Sequence, residues 1–597
     1  RLQLRHGEGD RRHLTSVQGL VALSLDALSS VAYGPEAIAL VLVTAGVSHV
    51  RLTLPVTLVI VALLVVLVVS YRQVIAVHPD GGGSYAVARD DLGPRVGVLA
   101  AAALVIDYVL TVAVSLAAGA ATLASAFPAL LPYLLETSLG VLVVLTAVNL
   151  YGIADSARFL MLPTLLFIGT VLAIVAVGLT RSHPAATVGG AVASHAHEAI
   201  GVMLLLKAFS AGCAALTGVE AIANGVPMFR SPRVAHAQRT ELMLGALLGV
   251  MLIGLALLIR RDTIAPRDGV TILAQLTAGA FGSGWLYQAA SVIVAVALTL
   301  AANTSFGGLP VLLSLLAKDR RLPHLFALRG ERPVHRYGVL AVAVAAALLL
   351  IAVDARTHRL LPLFAIGVFT GFTISQTGLV AHWWRLRPPG WAGTALLNGT
   401  GAVLTAVATL VLLITKFDEG AWVVVIVVPL LILLFTRVRH HYDRIARELH
   451  LGTLPARRPE PPHQGRLVIV PIHRFGVMTG GALSTALSFG QETVAVTVST
   501  GEDDARTLRS QWDRWDPGVR LEILDSPQEA RIRPIVEHIK QISARDDRSL
   551  LVLVPTIQSG RPRSRLLHDQ SSLLLAEALR ENVPGALVCL MPYRVHE

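Results

Sequence analysis

The stretch Ser24-Leu25-Asp26-Ala27-Leu28-Ser29-Ser30-Val31-Ala32-Tyr33-Gly34-Pro35-Glu36 decides the fold of this chain. It lies in an apolar run long enough to cross a bilayer, yet it carries two acids, three serines, a tyrosine and a Gly-Pro pair. Proline has no amide hydrogen and disfavours helical geometry at the residue before it. Interrupted backbone survives at membrane depth only where protein or a watery cavity satisfies its polar groups. The sequence therefore predicts a discontinuous membrane helix, over residues 17–32 and 36–45, with polar oxygens at the interruption.

A second interruption is predicted in the run Thr217-Gly218-Val219-Glu220, where a hydroxyl, a glycine and an acid again lie in an apolar context. The two interruptions fall in the first and sixth of the predicted membrane spans. Discontinuous helices at corresponding positions of two halves are typical of transporters built from inverted repeats, which bind ions and substrates near the midplane. We therefore expect two five-helix halves of opposite topology, each beginning with a broken helix.

The composition is that of a polytopic membrane protein. The chain has 597 residues, of which 54% are hydrophobic, and its mean hydropathy is +0.64. These values exclude an ordinary soluble enzyme, because apolar runs of about 20 residues recur along the chain. Twelve spans are predicted, at residues 17–45, 52–77, 96–126, 134–150, 157–180, 201–225, 240–259, 284–316, 337–353, 361–382, 395–415 and 421–436.

Basic residues indicate how these spans are oriented. Arginine and lysine are concentrated before span 1, between spans 2 and 3, and after spans 6, 8 and 12, and they are fewer in the alternate loops. Because basic loops stay inside, both termini of this multi-pass cell-membrane protein are predicted to be cytoplasmic. The same loops account for the net charge of +11, and no aromatic-basic groove is visible, so no nucleic-acid partner is expected.

The composition changes after span 12. A polar, proline-rich stretch is followed by short β-type runs that alternate with helical patterns, which is typical of a parallel, doubly wound sheet. Strands are predicted at 466–471, 493–499, 520–524, 550–555 and 586–591, and helices at 480–489, 503–515, 528–543 and 565–582. The predicted organisation is a cytoplasmic N-terminus (1–16), a transmembrane transporter domain (17–436), a linker (437–465) and a cytoplasmic α/β domain (466–597).

The run Gly81-Gly82-Gly83-Ser84-Tyr85 lies between spans 2 and 3. It lacks the Lys-Ser/Thr pair and the preceding strand of a nucleotide-binding P-loop. A glycine turn that leads into a short amphipathic helix on the inner face is the better interpretation. Since the chain has no motif for ATP hydrolysis, an ion gradient is the expected energy source, and we interpret the chain as a transporter and not as an enzyme.

Acids inside membrane spans are costly and usually face a cavity. Four acids of the predicted spans are the candidates: Asp26, Glu36, Asp107 and Glu220. Glu36 follows the first interruption and is expected to lie outside the site, towards the outer vestibule. The structural alternatives stay open at this point, since Asp26 can cap the broken helix, Asp107 can pair within the bundle and Glu220 can join two spans.

Hydroxyl groups accompany these acids. Asp107, Thr111 and Ser115 recur every four residues in span 3, so their oxygens form a stripe on one helix face. Carboxylates, hydroxyls and freed carbonyls suit a desolvated monovalent cation, whose hydration shell must be replaced by several oxygens. An amino acid fits less well, because its carboxylate needs free amides at a half-helix N-terminus, where this chain has serines, a tyrosine and acids. One of the acids could also carry a proton.

The motifs at 25–34, 81–85, 149–152 and 215–221 resemble the amino acid–polyamine–organocation superfamily and, more narrowly, its KUP-related, KimA-type potassium importers. The resemblance covers nearly the whole chain, and the acids and hydroxyls of spans 1, 3 and 6 are its most specific part. The chain departs from amino acid carriers, which have Gly-x-Gly at the first break, where Ser30-Val31-Ala32-Tyr33-Gly34 stands here.

The resemblance implies a LeuT-type fold of two inverted five-helix repeats and proton-coupled potassium uptake. The potassium ion would lie between spans 1, 3 and 6, with Asp26, Asp107 and Glu220 as candidates for carrying the proton. The residues that match the family's ion site are Asp26, Tyr33, Asp107, Tyr108, Thr111, Ser115, Thr217 and Glu220. A proton-coupled amino acid or polyamine permease of the same superfamily is the alternative function, and a membrane-bound nucleotide sensor is a further one.

The resemblance also implies a homodimer joined through the cytoplasmic domains and inhibited by cyclic di-AMP, with no resident cofactor. The C-terminal domain is similar to universal stress proteins. However, residues 554–564 lack their Gly-x-x-Gly phosphate loop, so the nucleotide-binding residues stay unassigned.

Overall fold

The computed structural model describes residues 14–151, 157–192, 201–328, 335–448, 467–473, 475–489, 492–499, 501–526, 531–545, 550–559 and 571–595. The chain divides into two compact units, Arg1–Leu312 with Arg336–Leu433 and Leu313–His335 with Leu434–Glu597. The predicted segments 1–13, 449–465, 528–530 and 565–570 lie outside the described residues.

The described residues contain twelve helices that are long and apolar enough to cross a membrane, which confirms the predicted number. Spans 1 to 12 are Leu25–Ala45, Val47–Val77, Pro94–Ala126, Pro128–Leu150, Met161–Thr180, Val202–Asn224, Arg233–Asp262, Trp285–Lys318, Arg336–Val353, Thr357–Leu386, Trp391–Thr415 and Trp422–Glu448. Several helices run further than predicted, because hydropathy detects only their apolar part. Span 12 continues as a helix to Glu448, so the predicted linker cannot begin at 437.

The spans differ in how much of their surface is buried. In spans 1, 3 and 10, 78% of the residues in the most apolar 18-residue stretch of the helix are buried, against 17% in spans 4 and 12. Exposed apolar surface is expected in a bilayer, because lipid tails are as apolar as leucine. Polar side chains on spans 1, 3 and 10 are therefore the ones that the bundle can shield from lipid.

The two predicted interruptions have different backbone geometry. Span 1 is preceded by the helix Ser16–Leu23 and continues as a helix over Leu25–Ser29, a 3₁₀ turn over Ser30–Ala32 and a helix over Gly34–Leu42. The predicted boundaries, 17–32 and 36–45, are therefore wrong by a few residues. Proline stands in the first turn of the last helix, where its missing amide costs no helical hydrogen bond. The chain is tightened here and not unwound.

In span 6, non-helical backbone interrupts the helix. Its helix Val202–Gly212 continues as a 3₁₀ turn over Cys213–Leu216, and then Thr217 is extended, with φ −66° and ψ 151°. Gly218 follows with φ +78°, a left-handed conformation that costs glycine little. A short helix, Ala221–Asn224, completes the span.

The three glycines of the run 81–83 all have positive φ. The run leads into a short helix, Gly83–Val87. The prediction that this helix is amphipathic is wrong, because all five of its residues are buried. A further helix, Ile272–Phe281, lies between spans 7 and 8 and was not predicted, since ten residues are too few to span a bilayer.

The C-terminal domain is built on a five-stranded parallel sheet with the strand order β3-β2-β1-β4-β5. Its strands are Leu467–Pro471 (β1), Glu492–Ser499 (β2), Arg520–Asp525 (β3), Leu550–Ser559 (β4) and Leu587–Val595 (β5). Its helices are Val477–Ser488 (α1), Glu502–Trp515 (α2), Ile532–Arg545 (α3) and Ser571–Asn582 (α4). Strands β4 and β5 extend four residues beyond the predicted ends, because they pair with each other along that length.

The helices cover both faces of this sheet. Val468 and Val470 of β1 pack on one face with residues of α1 and α2, including Trp512. Leu467 and Ile469 point to the other face, where α3 and α4 pack. A strand buried on both faces is apolar throughout, which is why β1 lacks the alternation of a half-exposed strand. The predicted doubly wound arrangement is confirmed.

Candidate ion-binding site

The interruptions of spans 1 and 6 touch each other. A Cβ atom on Gly34 would overlap the side chain of Ala215. The hydroxyl of Ser30 donates to the carbonyl oxygen of Ala215 at 2.7 Å and lies 2.6 Å from that of Ala27. Ser30 thus joins the tightened turn of span 1 to the turn of span 6, and the absence of a side chain at Gly34 lets the two segments meet.

Gly218 lies at a second close contact of the two spans. A Cβ atom there would lie 2.7 Å from the backbone nitrogen of Ala27 and 3.0 Å from Oδ2 of Asp26. Its φ of +78° also favours glycine. Both requirements place the Asp26 carboxylate directly against the break of span 6.

Three acids converge at this place. Asp26, Asp107 and Glu220 are 9%, 8% and 5% exposed, and they interact electrostatically with one another. One carboxylate oxygen each of Asp26 and Asp107 is buried without a hydrogen-bond partner among the described residues. Buried polar atoms are costly without a partner, so these oxygens are suited to receive a cation or a proton.

Two hydrogen bonds fix the carboxylate of Glu220. Its Oε2 accepts hydrogen bonds from Ser84 Oγ at 3.0 Å and from the Tyr71 hydroxyl at 3.3 Å. Span 10 passes close by at Gly371, where a Cβ atom would lie 3.9 Å from the same Oε2. The short buried helix after the glycine run therefore carries a residue of the site.

Two tyrosines complete the cluster. Tyr33 is 3% exposed, and its hydroxyl lies 3.4 Å from Oγ1 of Thr217. Tyr108 is half-buried, interacts electrostatically with all three acids, and rests its ring against Gly308 of span 8. The hydroxyl of Tyr108 accepts a hydrogen bond from Nδ2 of Asn224 at 3.5 Å.

The structure brings six of the eight predicted residues into contact or electrostatic interaction: Asp26, Tyr33, Asp107, Tyr108, Thr217 and Glu220. Thr111 and Ser115 are buried one and two turns further along span 3, and no hydrogen bond among the described side chains joins them to the other six. Oγ of Ser115 has no partner there. Glu36 lies outside the cluster, where its Oε2 accepts from the backbone nitrogen of Ile272 at 3.1 Å.

Sequence reasoning missed Tyr71 and Ser84. Tyr71 lies near the end of span 2 beside Ser70, Arg72 and Gln73, and this polar group after a long apolar run was a signal that could have been used. Ser84 belongs to the glycine run, which was predicted to lead into a short amphipathic helix on the inner face. Only the folded position of this run against Glu220 identifies its role.

Comparison with known proteins matches both parts of the chain. A family model described as amino acid permease matches residues 19–435, and one described as KimA potassium transporter C-terminal domain matches residues 463–593. Potassium transporter KimA of Bacillus subtilis (strain 168) is 35% identical over 593 residues, which cover 97% of this chain and 96% of that protein. The chain belongs to the KimA family of potassium transporters. This membership confirms the resemblance to amino acid–polyamine–organocation transporters.

Among solved structures, the KimA-family chain matches a manganese transporter of Eremococcus coleocola in complex with an aromatic bis-isothiourea substituted compound. The TM-score is 0.41 and the identity 13%, over 72% of this chain and 95% of that one. Mutants of the same transporter match with a TM-score of 0.40. Membership of the KimA family therefore rests on the sequence matches alone.

Proposed function

We propose that this KimA-family protein imports potassium by secondary active transport and couples the import to protons. The observation that carries the proposal is the convergence of Asp26, Asp107 and Glu220 with the hydroxyls of Tyr33 and Thr217, where the interrupted spans touch. Several oxygens in a dry place replace the hydration shell of a potassium ion. Inward movement of one positive charge gains about 2.3 kcal/mol per 100 mV of inside-negative potential.

The proposed ion ligands are the eight residues that match the family's site, with Thr111 and Ser115 extending the path along span 3. The unpartnered oxygens of Asp26 and Asp107 are free to bind the ion. Asp26, Asp107 and Glu220 are the proposed carriers of the proton. When no cation is bound, burying a neutral carboxylic acid costs less free energy than burying a carboxylate, so each acid then favours the protonated form.

We further propose that spans 1–5 and 6–10 are inverted repeats in a LeuT-type fold, with both termini cytoplasmic. The position of the two interruptions, one in span 1 and one in span 6, and the concentration of basic residues in alternate loops support this arrangement. The transporter domain, predicted at 17–436, then extends to the end of span 12 at Glu448, and the cytoplasmic α/β domain covers 466–597. The linker shortens to about 449–465 because span 12 ends at Glu448.

For the C-terminal domain we propose a universal-stress-protein-like regulatory role, in a homodimer inhibited by cyclic di-AMP. The support is the doubly wound strand order, in which ligands bind at the carboxyl ends of the strands where the order reverses, here between β1 and β4. Titration of the purified full-length protein with cyclic di-AMP, in parallel with light scattering for its mass, tests both parts. Binding without a dimer, or a dimer without binding, would remove one part only.

Transport itself is tested with purified protein in liposomes. The proposal expects rubidium uptake, competed by potassium and accompanied by acidification of the lumen under a proton gradient. Labelled amino acids and putrescine test the alternative permease function in the same vesicles. Uptake of these compounds without rubidium flux would overturn the proposal in favour of the alternative.

A further inference from the structure

Span 7 carries a buried acid that the proposed ion site does not use. Glu241 is 0% exposed, and neither of its carboxylate oxygens has a hydrogen-bond partner among the described residues. It forms no ion pair with any cation in that part of the chain. Burying an unpaired carboxylate costs far more than burying a neutral acid, so this environment favours the protonated side chain.

Contacts on either side fix the direction in which Glu241 points. Spans 2 and 7 pack along each other, and a Cβ atom on Gly245 would overlap the side chain of Val68. One turn before Glu241, Nε2 of Gln238 donates to the carbonyl oxygen of Arg72 at 2.8 Å. Residues 241 and 245 lie on one helix face, so Glu241 meets span 2 between these two contacts.

Tyr71 occupies that position on span 2. It is 0% exposed, and its phenol interacts electrostatically with Glu241. The same hydroxyl donates to Oε2 of Glu220 at 3.3 Å. A single buried hydroxyl therefore donates to an acid of the ion site and interacts electrostatically with an acid outside it.

We propose that Glu241 is a proton-binding residue of the transport cycle whose protonation is sensed at the ion site through the hydroxyl of Tyr71. The inference rests on the proposed proton coupling and adds a position to it. A tyrosine hydroxyl has one hydrogen to donate. While Glu241 is neutral, that hydrogen is available to Glu220. Neither carboxylate oxygen of Glu241 accepts a hydrogen bond here, so Glu241 acts on the hydroxyl through its charge. Once Glu241 is ionised, its negative charge attracts that hydrogen and weakens the bond to Glu220.

Among the described side chains, the titratable or charged groups beside this stretch of span 7 are Tyr71 and Arg72 of span 2, with His236 and Arg239 of span 7 itself. Asp26 of span 1 and Glu220 at the break of span 6 belong to segments that pack on span 7. His236 is occupied, since its Nδ1 lies 2.9 Å from Oγ of Ser16. The basic ends of spans 2 and 7 lie on the proposed cytoplasmic side, which gives Glu241 a short route to that solution.

The first test measures rubidium uptake and lumenal pH together in liposomes, over a range of pH, for the wild type, Glu241→Gln and Glu241→Asp. We expect Glu241→Gln to keep the KM for rubidium but to lose proton movement and the pH dependence of Vmax. Glu241→Asp should restore both. A folded Glu241→Gln protein with the wild-type pH profile would overturn the inference, whereas a wild type that moves no protons would instead overturn the proposed coupling.

The second test examines the connection through Tyr71. Tyr71→Phe removes the shared hydroxyl, so its pH profile should change and adding Glu241→Gln should change it no further. Ser84→Ala is the comparison variant, since it removes the other hydrogen bond to Glu220 and leaves the Tyr71 hydroxyl in place. Its effect should add to that of Glu241→Gln. If Glu241→Gln fails to fold, an unaltered pH profile in Tyr71→Phe alone overturns the inference.

Discussion

Gly218 shows how much of this site depends on single residues. Its backbone has φ +78°, and the space around it is taken by the backbone of Ala27 and the carboxylate of Asp26. The acids of the site are equally constrained, because each is almost fully buried and cannot move to water without opening the bundle.

Gly218→Ala should abolish uptake and lower thermal stability. The left-handed conformation costs an alanine about 1 kcal/mol, and the overlap with Ala27 adds to that cost or separates the two interruptions. Uptake in liposomes and the melting temperature in detergent measure the two effects. Gly140→Ala in span 4 is the matched control, since a Cβ atom there meets nothing within 4 Å. Uptake by Gly218→Ala at the control's rate would contradict the proposed contact.

Neutralising the acids tests the ion site. Asp26→Asn, Asp107→Asn and Glu220→Gln should each abolish rubidium uptake while leaving expression intact, because each removes a negative charge that faces the ion. Glu36→Gln is the control. It changes an acid of the same span that lies outside the cluster, and the amide oxygen can still accept from Ile272. Normal uptake by all three site variants would refute the site.

At the scale of elements, the packing of span 10 against spans 2 and 3 places several parts of the site. Glycines of span 10 face the site, so this helix can lie close to Asp107 and Glu220. A polar network joins spans 2, 10 and 11, in which Asn398 donates to Gln73 at 2.7 Å and accepts from Ser70 at 2.6 Å. Trp383 also donates to Gln73.

Asn398→Ala should lower the free energy of unfolding by about 1 kcal/mol, because it leaves Ser70 and one bond of Gln73 unsatisfied. Intrinsic fluorescence during heating in detergent measures the shift in melting temperature. Thr400→Ala serves as the control, since Thr400 is exposed and bonds only to its own helix. Equal melting temperatures for the two variants would show that the network adds nothing to stability.

At the scale of the whole molecule, two units carry their own cores. The C-terminal sheet has an apolar core on each face, and both cores are formed within that domain. The membrane unit instead exposes large apolar side chains along its outer spans, such as Val143 at 68% and Leu348 at 63%. The C-terminal sheet therefore buries its apolar residues, as in a protein surrounded by water. The membrane unit exposes apolar residues, as in a protein surrounded by lipid.

The isolated segment 463–597 should fold by itself, because the two cores on the faces of its sheet contain no residue of the spans. Far-UV circular dichroism should show a cooperative thermal transition. Leu483→Asp, which places a charge in the buried core between α1 and the sheet, should abolish that transition. A segment that melts without a transition would show that the domain requires the membrane unit.

The orientation can be measured in intact cells with a membrane-impermeant thiol reagent. In a background with Cys213 and Cys589 replaced by serine, Ser182→Cys should react from outside and Ser510→Cys only after lysis. Both positions are exposed, and they lie between spans 5 and 6 and in α2 of the C-terminal domain. The reverse pattern would invert the proposed topology.

The sequence by itself determined the twelve spans, the positions of the two interruptions and the doubly wound sheet. These features follow from local patterns, namely long apolar runs, helix-breaking residues and the alternation of strand and helix, which are readable without knowing what packs where. The eight proposed ligands came from the family resemblance.

Only the tertiary structure decided how these segments meet. It decided that span 1 is tightened while span 6 is unwound, that Ser84 and Tyr71 hold Glu220, and that Glu241 interacts electrostatically with the same tyrosine. The physical reason is that a hydrogen bond between residues 71 and 220, or 84 and 220, depends on the packing of helices far apart in the chain. No local pattern encodes that packing.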